Sequence, residues 1–343
     1  MKELKIAVCQ LKVVNEKDKN LIKAERMIKI SSKNKADIIV LPEMFNTPYD
    51  NESFLKNAEN YPGPTTELLS KLASQNQVYI IGGSIPEKDT EHSINNNICN
   101  CSNRNSSSSS NFNSSISNNS IYNGSNFISS NSSNSSISSS NANIGNINSH
   151  NKSQGNNNNN NNNNNKIYNT SFVFNRNGKI IAKHRKLHLF DVNIQDGINF
   201  KESDIIKSGN TITVFDTEFC KIGLCICYDI RFPEIFIKMV KEGAKIIIIP
   251  AAFNLTTGPA HWSILTKARA IDNQVFIVGA SPAKNTNLKY ISYGHSVIVN
   301  PWGKVIASAG YSEKIIFGKI NIDVVDQIRR QLPVLLHKRV DLY

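Results

Sequence analysis

A long Ser/Asn-rich block interrupts the chain and limits how much of it can fold. Residues 93–165 are mostly Ser and Asn and end in an unbroken Asn run over residues 156–165. The block holds no acidic residue and two basic ones, Arg104 and Lys152, and its few apolar groups cannot offset the entropy lost on ordering. We predict a disordered insertion over 93–165. The remaining residues, about 270 of the 343, are enough for a single domain over 3–343 with a sizeable core.

The net charge of +12 raises the question of a nucleic-acid partner. Nucleic-acid-binding proteins concentrate Lys and Arg in one stripe or interleave them with aromatic residues. Here the lysines are spread along the chain and mixed with acids, as in Glu16-Lys17-Asp18-Lys19, which favours a solvated basic surface. No apolar run approaches the roughly 18 residues of a membrane span. We therefore expect neither a nucleic-acid nor a membrane partner.

The cysteines bear on the compartment. The six are Cys9, Cys99, Cys101, Cys220, Cys225 and Cys227. The first five residues run straight into a strand-like segment over 6–11, without the pattern of a signal peptide. Without secretion, an even number of cysteines is weak evidence for disulfides. The Cys99-Asn100-Cys101 pair lacks the second pair or the histidines of a zinc site. We expect a reduced cytoplasmic protein, with a mitochondrial pool left open.

Strand-like apolar runs alternate with segments of helical spacing in both halves of the chain. Strands are predicted over 6–11, 38–41, 78–81, 171–174, 180–183, 222–227, 246–249, 275–278, 296–299, 304–307 and 315–320. Helices are predicted around 21–28, 65–72, 235–240, 262–271 and 324–330, the second capped by Thr65 or Thr66. An Asn-Gly pair at 177–178 indicates a hairpin. The alternation predicts an α/β layered domain, but it leaves the strand order open.

Three short segments place a reactive side chain at or just after an apolar strand. They are Glu43 in Leu41-Pro42-Glu43, Lys186 within residues 184–190, and Cys227 within residues 223–229. Taken singly, each is weak, because a buried Cys often packs as a small hydrophobe. Together, a thiol, a carboxylate and an ammonium are what covalent amide hydrolysis needs: a nucleophile, a base and an oxyanion stabiliser.

These segments belong to longer motifs that resemble the nitrilase superfamily of carbon–nitrogen hydrolases, and within it the omega-amidase branch. The resemblance covers residues 3–92 and 166–343 and rests on these segments: Leu41-Pro42-Glu43-Met44-Phe45-Asn46-Thr47-Pro48-Tyr49, Gly82-Gly83-Ser84-Ile85-Pro86-Glu87, Ala252-Phe253-Asn254-Leu255-Thr256-Thr257-Gly258-Pro259-Ala260-His261-Trp262, Asp272-Asn273-Gln274-Val275 and Val299-Asn300-Pro301-Trp302-Gly303. It implies a four-layer α-β-β-α sandwich, chemistry without a metal or organic cofactor, and a homodimer or larger assembly. The apolar segment 332–336 would otherwise be an exposed patch.

The resemblance also implies roles for individual residues. Cys227 is the expected nucleophile, Glu43 the general base, Lys186 the oxyanion stabiliser and Glu202 an additional active-site acid. The backbone N–H of Tyr228 is expected to complete the oxyanion hole. One departure is Cys225, which stands where relatives have Gly and lies two residues from the nucleophile, on the same face of a strand.

A substrate class follows from the same resemblance. Omega-amidases hydrolyse the terminal amide of dicarboxylic acid monoamides, 2-oxoglutaramate to 2-oxoglutarate and 2-oxosuccinamate to oxaloacetate, and release ammonia. A carboxylate far from the amide calls for a fixed cation. Arg231 fits this need, although an ion pair with Glu234 is the plainer alternative. The other expected pocket residues are Tyr49, Tyr228, Phe253 and Thr257.

Other classes of protein fit less well. A papain-like protease would need a Cys–His pair in a different sequence context. His184 and His188 have i, i+4 spacing but lack the Glu of a zincin helix. A deaminated-glutathione amidase would share the three reactive residues but not segments 46–49 and 254–257. A catalytically silent binding protein with the same fold is the remaining alternative.

Overall fold

In the computed structural model, the apolar runs of the sequence form strands and the amphipathic runs form helices, over the described residues 3–89 and 166–342. The helices are α1 (Lys17–Lys33), α2 (Asn51–Asn57), α3 (Pro64–Asn76), α4 (Pro233–Lys241), α5 (Ser263–Asn273) and α6 (Asp323–Gln331). The strands are β1 (Glu3–Gln10), β2 (Ile38–Val40), β3 (Tyr79–Ile81), β4 (Ile85–Asp89), β5 (Lys166–Phe174), β6 (Ile180–Arg185), β7 (Asp191–Asn193), β8 (Asn199–Lys201), β9 (Ile206–Lys207), β10 (Thr213–Asp216), β11 (Lys221–Leu224), β12 (Ile246–Pro250), β13 (Phe276–Ala280), β14 (Val297–Val299), β15 (Val305–Ser308) and β16 (Lys314–Asn321). Short 3₁₀ turns lie at Glu202–Asp204 and Cys227–Arg231, and a π-helical turn at Gly258–Trp262 leads into α5.

Two large sheets hold most of these strands, while β7 and β8 form a separate small sheet. The first has the order β16-β1-β2-β3-β5-β4, with β6 and β9 also paired to β5. The second has the order β10-β11-β12-β13-β14-β15. Strand β12 lies inside the second sheet, parallel to β11 and β13. Its run of four isoleucines is buried throughout, as expected of a strand covered on both faces.

The alternation of side chains along the strands defines four layers. In β1, Ile6 and Val8 join a core shared with Ile222 and Ile246 of the second sheet, so the two sheets pack face to face. The opposite face of the first sheet packs on α1 and α3, and that of the second sheet on α4 and α5. The order α-β-β-α confirms the predicted four-layer sandwich.

The structure confirms the predicted hairpin, because β5 and β6 are antiparallel neighbours around residues 175–179. Several predicted element ends were wrong, and two of them bear on the packing and the site. Strand β11 ends at Leu224, so the predicted strand over 222–227 is too long and Cys227 opens a 3₁₀ turn. Helix α3 is capped at Gly63 rather than at Thr65 or Thr66. Pro64 can occupy the first helical position, because the backbone N–H that proline lacks has no partner within the helix there.

The hairpin β4–β5 carries the low-complexity block between its strands. Asp89 of β4 pairs with Lys166 of β5. The end of the first described range and the start of the second are therefore neighbours in the sheet. The predicted disorder of 93–165 and the Cys99-Asn100-Cys101 pair lie outside the described residues. Within the described ranges, none of the helices combines the length and apolarity needed to cross a membrane.

Candidate active site

Four buried functional side chains converge where strands of the domain end. Glu43 follows β2, Lys186 directly follows β6, and Cys227 opens the 3₁₀ turn after β11. Glu202 begins the 3₁₀ turn after β8. Cys227 is 6% exposed, and the other three are fully buried. The fold thus brings together residues from distant parts of the sequence into one site.

Lys186 is held by two carboxylates. Its Nζ lies 3.0 Å from Glu43 Oε1, 2.8 Å from Glu202 Oε2 and 3.1 Å from the Tyr49 hydroxyl. Burial alone would lower the pKa of Lys186, but the charges of Glu202 and Glu43 outweigh it and raise that pKa above its usual value. The side chain therefore provides a permanent positive charge inside the site.

The two oxygens of Glu43 have different surroundings. Oε1 accepts hydrogen bonds from Asn169 Nδ2 at 2.8 Å and from the Tyr49 hydroxyl at 3.2 Å, in addition to Lys186. Oε2 has no hydrogen-bond partner among the described residues, and the Cys227 thiol interacts with the Glu43 carboxyl group. Burial raises the pKa of Glu43, with Lys186 opposing and Glu202 reinforcing the change. A carboxylate in this state is suited to accept a proton.

Cys227 occupies an unusual backbone conformation. Its φ is +46°, in the left-handed region where a residue with a side chain costs of order 1–3 kcal/mol. Burial and the charge of Glu43 raise the pKa of the thiol well above its usual value, while Lys186 opposes this. The thiol is therefore protonated at neutral pH and needs a base to become a nucleophile.

A small cavity of about 10 Å³ adjoins Cys227. Its lining includes four of the predicted substrate-binding residues: Tyr228, Arg231, Phe253 and Thr257. A mostly aromatic surface around one charged group is typical of a pocket for a small ligand with a single anionic end. The expected role of the Tyr228 N–H stays a prediction, since it concerns a bond to the oxyanion of a substrate.

Arg231 is held in place without being neutralised. Its Nη1 lies 3.2 Å from His261 Nδ1, and its Cζ lies 5.5 Å and 5.2 Å from the ring centroids of Tyr228 and Phe253. Its Nε has no hydrogen-bond partner in the described part of the chain. The alternative ion pair with Glu234 does not form among residues 3–89 and 166–342. The guanidinium therefore keeps N–H groups for an anionic ligand.

Tyr49 is not part of the lining of the cavity beside Cys227, although it lines a neighbouring one. Its hydroxyl lies between Glu43 and Lys186, so the residue belongs to the hydrogen-bond network of the reactive groups. A second small cavity, also of about 10 Å³, has Glu43, Tyr49 and Tyr290 in its lining. Tyr290 lines both cavities, and no local sequence pattern pointed to it.

Two further buried residues were also missed. Asn169 of β5 donates to Glu43 and, at 3.1 Å, to Glu202 Oε1; a polar side chain at a buried position of an apolar strand was the signal available. Asp229 is fully buried and binds His184 and His188, so the i, i+4 histidines serve a carboxylate. Within the described residues, no group of three or more His, Cys, Asp or Glu side chains could hold a metal ion.

The fold and this site together define a class of protein. A buried thiol beside a carboxylate base and a fixed ammonium can form and hydrolyse an acyl–sulfur bond. The family model for carbon-nitrogen hydrolases matches residues 5–137 and 149–330. The chain therefore belongs to the carbon–nitrogen hydrolase family of the nitrilase superfamily, which confirms the predicted membership and makes the protein an enzyme of that class.

Individual relatives match over the whole chain. The protein named omega-amidase NIT2 from Bos taurus is 36% identical, over 100% of this chain and 98% of its own length. Omega-amidase NIT2 from Homo sapiens is 34% identical with the same coverage. The crystal structure of Saccharomyces cerevisiae Nit3, a member of branch 10 of the nitrilase superfamily, is similar with 31% identity and a TM-score of 0.70, covering 97% of this chain and 95% of that chain.

Proposed function

We propose that this protein is an omega-amidase, which hydrolyses the terminal amide of dicarboxylic acid monoamides such as 2-oxoglutaramate and 2-oxosuccinamate and releases ammonia. One observation carries the proposal: the incompletely paired Arg231 guanidinium lines the same cavity as the Cys227 thiol. A monoamide of this class has an amide at one end and a carboxylate at the other. The site offers a reactive sulfur for the first and a cation for the second. The relatives named omega-amidases support the same assignment.

In the first half-reaction, Cys227 Sγ attacks the amide carbon while Glu43 Oε2 takes the thiol proton. The amide oxygen becomes an oxyanion, which the Lys186 ammonium and the Tyr228 N–H stabilise. Lys186 Nζ already has three polar neighbours, and Tyr49 is the neutral one. We infer that the substrate oxygen displaces the Tyr49 hydroxyl from Lys186. The C–N bond then breaks, and the nitrogen takes the proton from Glu43 and leaves as ammonia.

In the second half-reaction, water replaces ammonia beside Glu43. The carboxylate takes a proton from the water as its oxygen attacks the thioester carbon, and Lys186 again stabilises the oxyanion. The C–S bond breaks, and the sulfur recovers its proton from Glu43. Glu202 keeps Lys186 protonated and in place through both steps, since the two side chains form a fully buried ion pair. Bonds and protons balance with the side chains of this chain, the substrate and water.

A turnover assay tests the assignment directly. Ammonia release is measured with 2-oxoglutaramate, deaminated glutathione and glutamine at matched concentrations, with the Cys227→Ala variant as the blank. The proposal predicts the highest kcat/KM for 2-oxoglutaramate. Preference for deaminated glutathione would replace it with the related amidase activity, and no turnover of any amide would favour a silent binding protein.

We further propose a single domain over 3–343, interrupted by the 93–165 block, that assembles as a homodimer. Leu332, Val334 and Leu336 are 48%, 42% and 84% exposed, which leaves apolar surface that a second copy would cover. A thiol nucleophile works only while it stays reduced, which fits the expected cytoplasmic location and equally a mitochondrial pool.

A further inference from the structure

The side chain of Asp229 lies between the two loops that carry the nucleophile and the ammonium. Its Oδ2 accepts from the backbone N–H of Ile226 at 2.9 Å and faces His184 Nε2 at 3.4 Å. Its Oδ1 accepts from the backbone N–H of His188 at 2.9 Å and faces His188 Nδ1 at 2.8 Å. One buried carboxylate therefore has four partner atoms, which belong to three residues on two separate segments.

The three residues that supply these atoms lie close to the reactive residues in the sequence. Ile226 immediately precedes Cys227, whereas His184 and His188 stand two residues before and two residues after Lys186. Asp229 thus accepts a hydrogen bond from the residue just before the 3₁₀ turn of Cys227. It also links this turn to the segment that carries Lys186. Cys227 needs such support, because its positive φ is unfavourable for a residue with a side chain.

The surroundings make the tie rigid. Asp229 and His184 are fully buried, and His184 Nδ1 lies 2.9 Å from the Thr213 hydroxyl. The ring of His188 stacks on Phe232 at 3.6 Å between centroids. The hydrogen bonds from both histidines hold the pKa of Asp229 below its usual range despite its burial. The carboxylate therefore stays ionised, and each of its oxygens binds one backbone N–H and one imidazole.

We propose that Asp229 is the positioning residue of the reaction: it fixes the distance and orientation between the Cys227 sulfur and the Lys186 ammonium through both half-reactions. This inference rests on the proposed roles of Cys227 and Lys186. It assigns Asp229 no contact with the substrate. Both reacting groups must be held to within fractions of an ångström, because a displacement of about 1 Å can cost about 10²-fold in rate.

The first test compares two isosteric changes at buried carboxylates. Asp229→Asn keeps the volume but turns an NH₂ group toward one of the backbone donors. Glu59→Gln is the matched control, since Glu59 is buried and accepts from the backbone N–H of Thr65 at 2.8 Å outside the reactive groups. We expect Asp229→Asn to lower kcat by about 10²-fold per folded molecule with little change in KM, and Glu59→Gln to keep both.

A second readout does not depend on the substrate. The rate at which iodoacetamide alkylates Cys227, followed by peptide mass spectrometry across pH, reports the ionisation and the accessibility of the thiol. Asp229→Asn should change this pH profile, and Glu59→Gln should not. If monoamides are not the substrates, kcat is uninformative while the alkylation profile still tests the positioning role. An Asp229→Asn protein with wild-type kcat and an unchanged profile, differing only in melting temperature, would overturn the proposal.

Variants of His188 cover the case in which Asp229→Asn fails to fold. His188 is partly exposed, so its replacement is tolerated more easily. Asn can present an N–H close to the position of Nδ1, whereas Ala cannot. We expect His188→Asn to keep most activity and His188→Ala to lose kcat and shift the alkylation profile. Equal kcat values and equal alkylation profiles for the two variants would contradict the proposed positioning role of Asp229.

Discussion

At the scale of residues, burial determines the protonation states that the chemistry requires. Glu43 and Cys227 both have raised pKa values because they are buried, whereas Lys186 stays charged because two carboxylates outweigh its burial. In the proposed mechanism, the resting site is a neutral Cys227 thiol beside the base Glu43 and the cation Lys186. Each of the three groups can be removed separately, and each removal should give a different loss.

We expect Cys227→Ala to abolish turnover and Cys225→Ala to keep most of it, because Cys225 is fully buried among the apolar side chains of the core. Glu43→Gln should lower kcat by about 10²–10⁴-fold, and Lys186→Met by at least about 10²–10³-fold. Mass spectrometry of the acyl adduct locates the nucleophile. An adduct on Cys225, or normal turnover by Cys227→Ala, would contradict the proposed mechanism.

The activity should fall on the acid side of its pH profile with the titration of Glu43. The base must be unprotonated to accept the thiol proton, so kcat/KM decreases as the pH drops through the raised pKa of Glu43. The midpoint should lie above the ordinary value of 4.5. Glu202→Gln removes a charge that raises this pKa, so the midpoint should move to lower pH. A pH–rate profile of both proteins is the measurement, and a shift to higher pH in Glu202→Gln would refute the assignment.

Arg231→Lys should impair binding rather than chemistry. An ammonium cannot reproduce the two-point contact of a guanidinium with a carboxylate, so KM for 2-oxoglutaramate should rise by about 10–100-fold while kcat changes little. A neutral linear amide of similar length provides the control, since its KM should not respond. Equal effects on both substrates would show that Arg231 has a different role.

At the scale of elements, two strand ends and two turns supply the site. Strand β5 carries Asn169 into the carboxylate pair, and the 3₁₀ turn after β11 sets the direction of the nucleophile. The Ser/Asn-rich block joins the paired ends Asp89 and Lys166, and a turn of two residues can also connect two antiparallel strands. The hairpin itself, and not the length of its connection, is what the site requires.

Replacing residues 90–165 by Asn-Gly should therefore leave the melting temperature and kcat close to those of the full chain, because loop closure depends weakly on length. A variant that also removes residues 85–89 is the matched control. It deletes β4, including buried Glu87, which pairs with Lys183 and Arg185, and it should fold poorly. Loss of stability or activity in the first variant would show that the block packs on the domain.

At the scale of the whole molecule, the four layers leave apolar surface near the C-terminus. We expect light scattering to give the mass of a dimer at micromolar concentration and Leu336→Asp to shift it toward a monomer. Ile22→Asp is the control, because Ile22 is 65% exposed on α1, away from this segment in the sequence. A wild-type monomer would disprove the assembly, and dissociation by both variants would show a nonspecific effect of charge.

Local patterns in the sequence determined which segments become strands and helices, and they led to the proposal of which residues carry the chemistry. Runs such as 246–249 report burial directly, because a strand inside a sheet must be apolar on both faces. The reactive residues could be named because their motifs are local. The strand order could not, since it depends on contacts between distant segments; Lys186 and Glu43, for instance, are 143 residues apart. For the same reason only the tertiary structure revealed Asn169, Tyr290 and Asp229, whose surroundings are assembled from several strands. It also decided the left-handed conformation of Cys227, because that turn is held by Asp229 and its partners across the chain.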